Sequence, residues 1–226
     1  MNDTGNPIDR GIPFTREDFE RAGPELLHQG RWGNADVHHL RKGGEDWVVK
    51  DFSPCPPVTR ATWGTWMVGR ELTAIRKLAG IPGFPRDAFR LDRFAFAYRF
   101  VPGAEIGVAD PNLLTSAFFE ELENLVGKMH ARGIAHLDIR AAKNILVSER
   151  GDPFILDFQS HVSLDGLPRF LRALLVDIDR SGVYKHWDRR FPGTLDEERT
   201  MLLERMNRLR RFWILKGYLG VKKNSP

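Results

Sequence analysis

His136-Leu137-Asp138-Ile139-Arg140-Ala141-Ala142-Lys143-Asn144 is followed, thirteen residues after Asn144, by Asp157-Phe158-Gln159. Between the two pieces lie the apolar runs Ile145 to Val147 and Phe154 to Leu156, each short enough for a strand. Two aspartates and an asparagine thus stand on either side of these runs. In front of it, Thr115 or Ser116 caps a predicted helix. Its apolar positions Phe118, Phe119, Leu122, Leu125, Val126 and Met129 recur three and four apart, and Gly133 closes it.

Further towards the N-terminus the chain changes character. Thr15-Arg16-Glu17-Asp18 reads as a capped helix start, stopped near Gly23-Pro24. Three β-like runs follow, around Leu26 to His28, Asp36 to Leu40 and Asp46 to Phe52, separated by Gly30-Arg31-Trp32-Gly33-Asn34 and by Lys42-Gly43-Gly44. A helix over Trp63 to Leu78 comes next, then two more β runs near Ala88 to Leu91 and Phe94 to Val101, ended by Pro102-Gly103. Five strands with one helix, followed by a mainly helical half, is an α+β plan in two lobes.

Composition bounds the rest. At 226 residues and 42% hydrophobic, the chain can bury one core or two small lobes. The single cysteine, Cys55, allows no intrachain disulfide, and no apolar stretch has the length of a membrane span, so a cytoplasmic protein is expected, at most peripheral to the membrane's inner face. The net charge of +4 arises from the tail, where from Thr194 onward eight basic residues face four acidic ones. The predicted helix there, from about Leu195, carries Leu202, Met206, Leu209 and Trp213 on one stripe with arginines among its polar positions. It reads as an amphipathic helix packed on the C-terminal half, with contact to anionic lipid headgroups as the alternative. No RNA-binding motif is present, so nucleic acid is not expected as a partner.

At these motifs the chain resembles the protein-kinase superfamily. HLDIRAAKN is similar to the catalytic loop HRDxxxxN, and Ile155-Leu156-Asp157-Phe158 to the strand entering DFG. The resemblance implies a bilobal kinase-like fold: an N-terminal extension over 1–25, an N-lobe of five antiparallel strands and a helix over 26–101, and a reduced, mainly helical C-lobe over 102–226. It implies ATP and Mg²⁺ as cofactors, with Asn144 and Asp157 holding the metal, Asp138 taking the acceptor's proton and Arg140 near the transferred phosphate. Trp47-Val48-Val49-Lys50 resembles VAIK, so Lys50 is expected on the phosphates, with Glu71 as its helix partner. Aligning Val37 with the valine of GxGxxGxV places Gly30 on the first glycine but Trp32 and Ala35 on the other two, leaving Gly33 to supply backbone freedom. Arg99 and Val101 fall where the lobes join, their backbone facing adenine and Tyr98 near the gatekeeper position.

Two departures narrow the resemblance. The catalytic loop holds five residues between Asp138 and Asn144 where the family has four, so either Arg140 or Lys143 could face the phosphate. Gln159 replaces the glycine of DFG, and no Ala-Pro-Glu follows in the 69 residues after Asp157. The shortened pattern is similar to the atypical branch, the RIO-type kinases and the bacterial lipopolysaccharide-core sugar kinases, with Asp177 to Trp187 resembling the latter. The implied reaction is transfer of the γ-phosphate to a hydroxyl, on a lipopolysaccharide-type sugar or a protein serine. A nucleotide-binding pseudokinase scaffold and an aminoglycoside- or choline-type kinase stay open as alternatives.

Overall fold

The computed structural model describes residues 12–31 and 33–217, the last seven by backbone alone. Trp32 and Trp213, both used in the sequence reading, fall outside this description, Trp213 in its side chain. The chain divides into two compact units, one of residues 1–102 with 157–159 and the other of residues 103–156 with 160–226.

The first unit begins with α1 (Arg16–Arg21), whose N-cap Thr15 exchanges hydrogen bonds with Asp18 in a capping box. Then come β1 (Glu25–His28), β2 (Asp36–Lys42), β3 (Glu45–Asp51), the single turn α2 (Pro57–Thr59), α3 (Thr65–Lys77), β4 (Phe89–Arg90) and β5 (Ala95–Arg99). The strands form one antiparallel five-stranded sheet in the order β1-β2-β3-β5-β4. Alternation along β3 decides what each face does. Trp47 and Val49 enter a core with Phe14, Phe19, Leu40, Ala95 and Ala97, where Phe14, Trp47 and Phe89 meet edge to face. Val48 and Lys50 therefore point to the opposite face. There α3 buries Met67, Val68, Glu71, Leu72 and Ile75. A π-helical turn, Arg60–Gly64, feeds α3, so the helical segment starts earlier than the periodicity of Trp63 to Leu78 suggests. Gly64 is required at its end, because a Cβ there would lie 2.9 Å from Phe52 Cβ.

The second unit contains β6 (Ala104–Glu105), α4 (Ser116–Ala131), β7 (Ile134–Ala135), β8 (Ile145–Val147), β9 (Pro153–Ile155), β10 (Val162–Ser163), α5 (Arg169–Arg190) and α6 (Glu197–Gly217). Thr115 caps α4 by accepting from the Phe118 amide at 3.2 Å. All six predicted apolar positions of α4 are buried, and Phe119 stacks on Trp187 of α5 at 5.6 Å. The small sheets β6-β8-β9 and β10-β7 hold the segments that carry the quoted motif. On α6, Met206 is buried and Leu209 is 43% exposed, while the neighbouring Leu203 rather than Leu202 completes the buried stripe.

Candidate active site

Within the first unit, three of the expected residues converge. The Lys50 ammonium lies 2.7 Å from Glu71 Oε2 and 2.8 Å from Asp157 Oδ1. Lys50 and Glu71 are almost wholly withdrawn from water, whereas the Asp157 side chain keeps 24% of its exposure. Burial works to lower the Lys50 pKa, but attraction from Asp157 and Glu71 outweighs it, and the lysine is held well above its ordinary value. Burial raises Glu71, and Lys50 offsets this only in part. Burial likewise pushes the Tyr98 phenol up to about 12. The result is a fixed positive charge beside one carboxylate that still meets solvent.

Asp157 has φ +65°, a conformation costly for a residue with a Cβ. Its neighbours hold it there. Phe158 is fully buried with its ring 6.1 Å from that of Phe84, and the Gln159 carbonyl accepts from Arg70 Nε at 3.1 Å.

In the second unit the motif at 136–144 folds into a compact loop. Leu137, at φ +66°, is strained as well. Asp179 of α5 explains how the strain is sustained: its carboxylate accepts from the His136 and Leu137 amides, each at 2.7 Å, and lies 3.0 Å from His130 Nε2. Fully buried, Asp179 fixes the loop to the helix. In the sequence the signal for Asp179 is an acid on the buried face of an amphipathic helix. His136 Nδ1 accepts from the Asp138 amide at 3.3 Å, so Nε2 carries the proton donated to the Leu156 carbonyl at 2.9 Å.

The extra residue in the loop is absorbed by a 3₁₀ turn, Ala142–Asn144. Asn144 still reaches Asp138: its Nδ2 donates to the Asp138 carbonyl at 2.9 Å and to Asp138 Oδ2 at 2.8 Å. These two acceptors fix the amide's orientation. Asn144 Oδ1 is left buried with no hydrogen-bond partner. A buried carbonyl oxygen without a donor is destabilising unless something supplies a positive charge, which suits a magnesium ligand. Among the described residues no three or more His, Cys, Asp or Glu gather as a metal cluster.

Other expected residues stand elsewhere. Arg140 does not extend freely beyond Asp138: its guanidinium donates to the Ser181 carbonyl and Oγ, both at 3.3 Å, and to Asn207 Oδ1 at 2.9 Å. Helices α5 and α6 draw it away, a consequence of tertiary packing that loop spacing does not encode. Lys143 is exposed. The Arg99 amide donates to the Arg86 carbonyl at 3.0 Å, so that N–H is not available to adenine, and the side chain pairs with Glu45 and Asp87. Gly30 donates its amide to Asp36 Oδ1 at 2.7 Å, which engages the N–H expected on a phosphate. A Cβ at Gly30 would lie 2.1 Å from the Asn34 carbonyl oxygen, so the glycine is required by the β1–β2 turn itself. Gly33, at φ +89°, provides the left-handed residue of the same turn.

Among solved structures, the chain is similar to the Rio2 kinase from Chaetomium thermophilum, with a TM-score of 0.58 at 16% identity over 86% of this chain and 75% of that one. The fold is protein-kinase-like, of the RIO type. A second structure, the Rio2 kinase-ADP/Mg²⁺-phosphoaspartate complex from the same organism, aligns with a TM-score of 0.56 at 19% identity, over 82% of this chain and 63% of that one. No family model and no curated protein matches the chain. The recognition of a kinase-like α+β fold with a five-stranded antiparallel sheet is thereby borne out. Lys50, Glu71 and Asp157 lie in the first unit, and Asp138 and Asn144 in the second.

Proposed function

We propose that the chain is an ATP-dependent phosphotransferase acting on an alcohol group. The observation that carries this reading is the buried Lys50 ammonium clamped by Glu71 and Asp157, an arrangement with no purpose in a plain β-sheet core. Lys50 would meet nucleotide phosphates. By the sequence resemblance Asp157 and Asn144 would each serve magnesium, and the ADP/Mg²⁺ complex of the similar Rio2 kinase supports that cofactor pair. Bound magnesium would neutralise phosphate charge. Asp138 takes the acceptor's proton: one of its carboxylate oxygens is oriented by Asn144 Nδ2, and the other has no hydrogen bond among the described residues. The acceptor, a lipopolysaccharide-type sugar or a protein serine, is carried over from the sequence resemblance, and a cytoplasmic location from the reading of composition.

The test measures Mg²⁺-dependent ATP consumption, with a panel of glycan, protein and small-molecule acceptors. Asp138→Asn and Asp157→Ala should each lower turnover by about 10²-fold or more. Equal background turnover in wild type and both variants, with nucleotide still bound, would establish the pseudokinase scaffold instead.

A further inference from the structure

The second unit carries a groove of about 410 Å³ between α5 and α6, lined by Leu174, Ile178, Met206 and Leu209 with Arg140 and Arg210. Its walls are apolar, yet Leu174 and Leu209 remain 39% and 43% exposed. Among the described residues the two arginines have no acidic partner. Arg140 is half-buried and donates only to neutral oxygens of Ser181 and Asn207. Lys185 adds a third cation with no acidic partner among the described residues, donating to the Arg140 carbonyl at 3.0 Å. Elsewhere on the same helices the pattern is the opposite: Arg205 pairs with Asp177 at 2.6 Å and Arg199 with Glu123 at 2.8 Å. Burial and then the charge of Arg210 lower the Arg140 pKa, and burial with Arg140, Arg210 and Arg189 lowers that of Lys185. These groups repel one another where nothing compensates them.

We propose that this groove binds a monomeric anionic amphiphile, its aliphatic part on Leu174, Ile178, Met206 and Leu209 and its acid group on Arg140 and Arg210. A volume of this size suits a small ligand rather than a polypeptide segment. Arg140, set back from the surface, favours an inserted molecule over adsorption to a bilayer, for which protruding cations serve. The apolar walls alone would accept any aliphatic chain; the unpaired guanidinium groups select one with an anionic end. Ligand and site match in charge, and the ligand relieves the repulsion. The proposal stands without ATP turnover, so its failure and that of the phosphotransfer reading are separable.

Dodecyl phosphate, dodecanol and inorganic phosphate, titrated calorimetrically below the detergent's micelle concentration, test it. Dodecyl phosphate should bind saturably at one site per chain, at least about tenfold tighter than dodecanol or phosphate alone. Arg210→Gln and Leu209→Glu, both at exposed positions, should each weaken it about tenfold while leaving the thermal midpoint unchanged. Equal binding of dodecanol, indifference to both variants, or no saturable binding would overturn the proposal. So would binding seen only with anionic vesicles, or a concentration-dependent dimer in sedimentation that the amphiphile does not disperse.

Discussion

Lys50 is buried and Arg140 half-buried, and these two basic side chains are satisfied in opposite ways. Lys50 sits between two carboxylates that keep it charged, at 2.7 and 2.8 Å. Among the described residues Arg140 meets a carbonyl, a hydroxyl and an amide oxygen and no carboxylate. A cation given counter-charges by its own unit is part of a finished electrostatic arrangement, whereas one surrounded by neutral acceptors leaves charge for an external anion to meet.

Breaking the first arrangement should have the largest effect. Lys50→Met removes the shared cation and leaves Glu71 and Asp157 facing a hydrophobic tip. Breaking a buried pair in this way costs about 3–5 kcal/mol, because a charge is stranded or must neutralise. Urea unfolding should show the loss, and Glu71→Gln in the same background should recover part of it. A Lys50→Met protein as stable as wild type would mean that the clamp contributes nothing to the fold.

The clamp was legible because the kinase resemblance pairs a strand lysine with a helix glutamate, here Lys50 and Glu71, and sets Asp157 after a strand. The five strands, α3 and α4 were legible from periodicity, since Val68, Leu72 and Ile75, or Phe118, Leu122 and Val126, can serve only one face of a helix. Asp138 and Asn144 were read together, yet the 3₁₀ turn that keeps them in contact depends on backbone geometry that five intervening residues do not specify. Arg140 was misplaced because its direction is chosen by Ser181 and Asn207, forty or more residues away in sequence. The same holds for Asp179, whose bonds to the loop span 42 and 43 residues. Long-range polar partners carry no local pattern.

The loop that presents Asp138 can be perturbed from the helix side. A Cβ at Gly182 would lie 2.8 Å from Ile139 Cβ and 3.0 Å from the Arg140 amide nitrogen, closer than packing allows. Gly182→Ala should therefore cost roughly 1–3 kcal/mol in urea unfolding and lower turnover by displacing the loop. Unchanged stability would show that α5 and the loop can separate without penalty.

A smaller effect should depend on pH. His186 is buried against the Ile139 carbonyl at 3.2 Å, and burial, followed by the charge of Lys185, lowers its pKa from 6.5 to about 4. The unfolded chain takes up a proton that the folded one refuses. Stability from this group is thus complete above about pH 6.5 and is lost as the pH falls towards 4, amounting to about 2 kcal/mol by pH 5. Unfolding at pH 7.5 and pH 5 should show His186→Gln losing that much less than wild type, which isolates this histidine from the carboxylates that also titrate in acid.

The smallest change is expected where the comparison began. Arg140→Met gives up three hydrogen bonds to neutral oxygens but also removes a half-buried charge that Arg210 repels. The methionine stem can cover the apolar wall that the arginine stem covers now. These contributions oppose each other, so urea unfolding should shift by less than about 1 kcal/mol in either direction, in contrast to Lys50→Met. A loss comparable to that of Lys50→Met would make Arg140 a structural tie between the loop and α6. Near-neutral stability combined with lost dodecyl phosphate binding would instead mark it as a cation held in place for a ligand, the one outcome in which its missing counter-charge is explained by function rather than by folding.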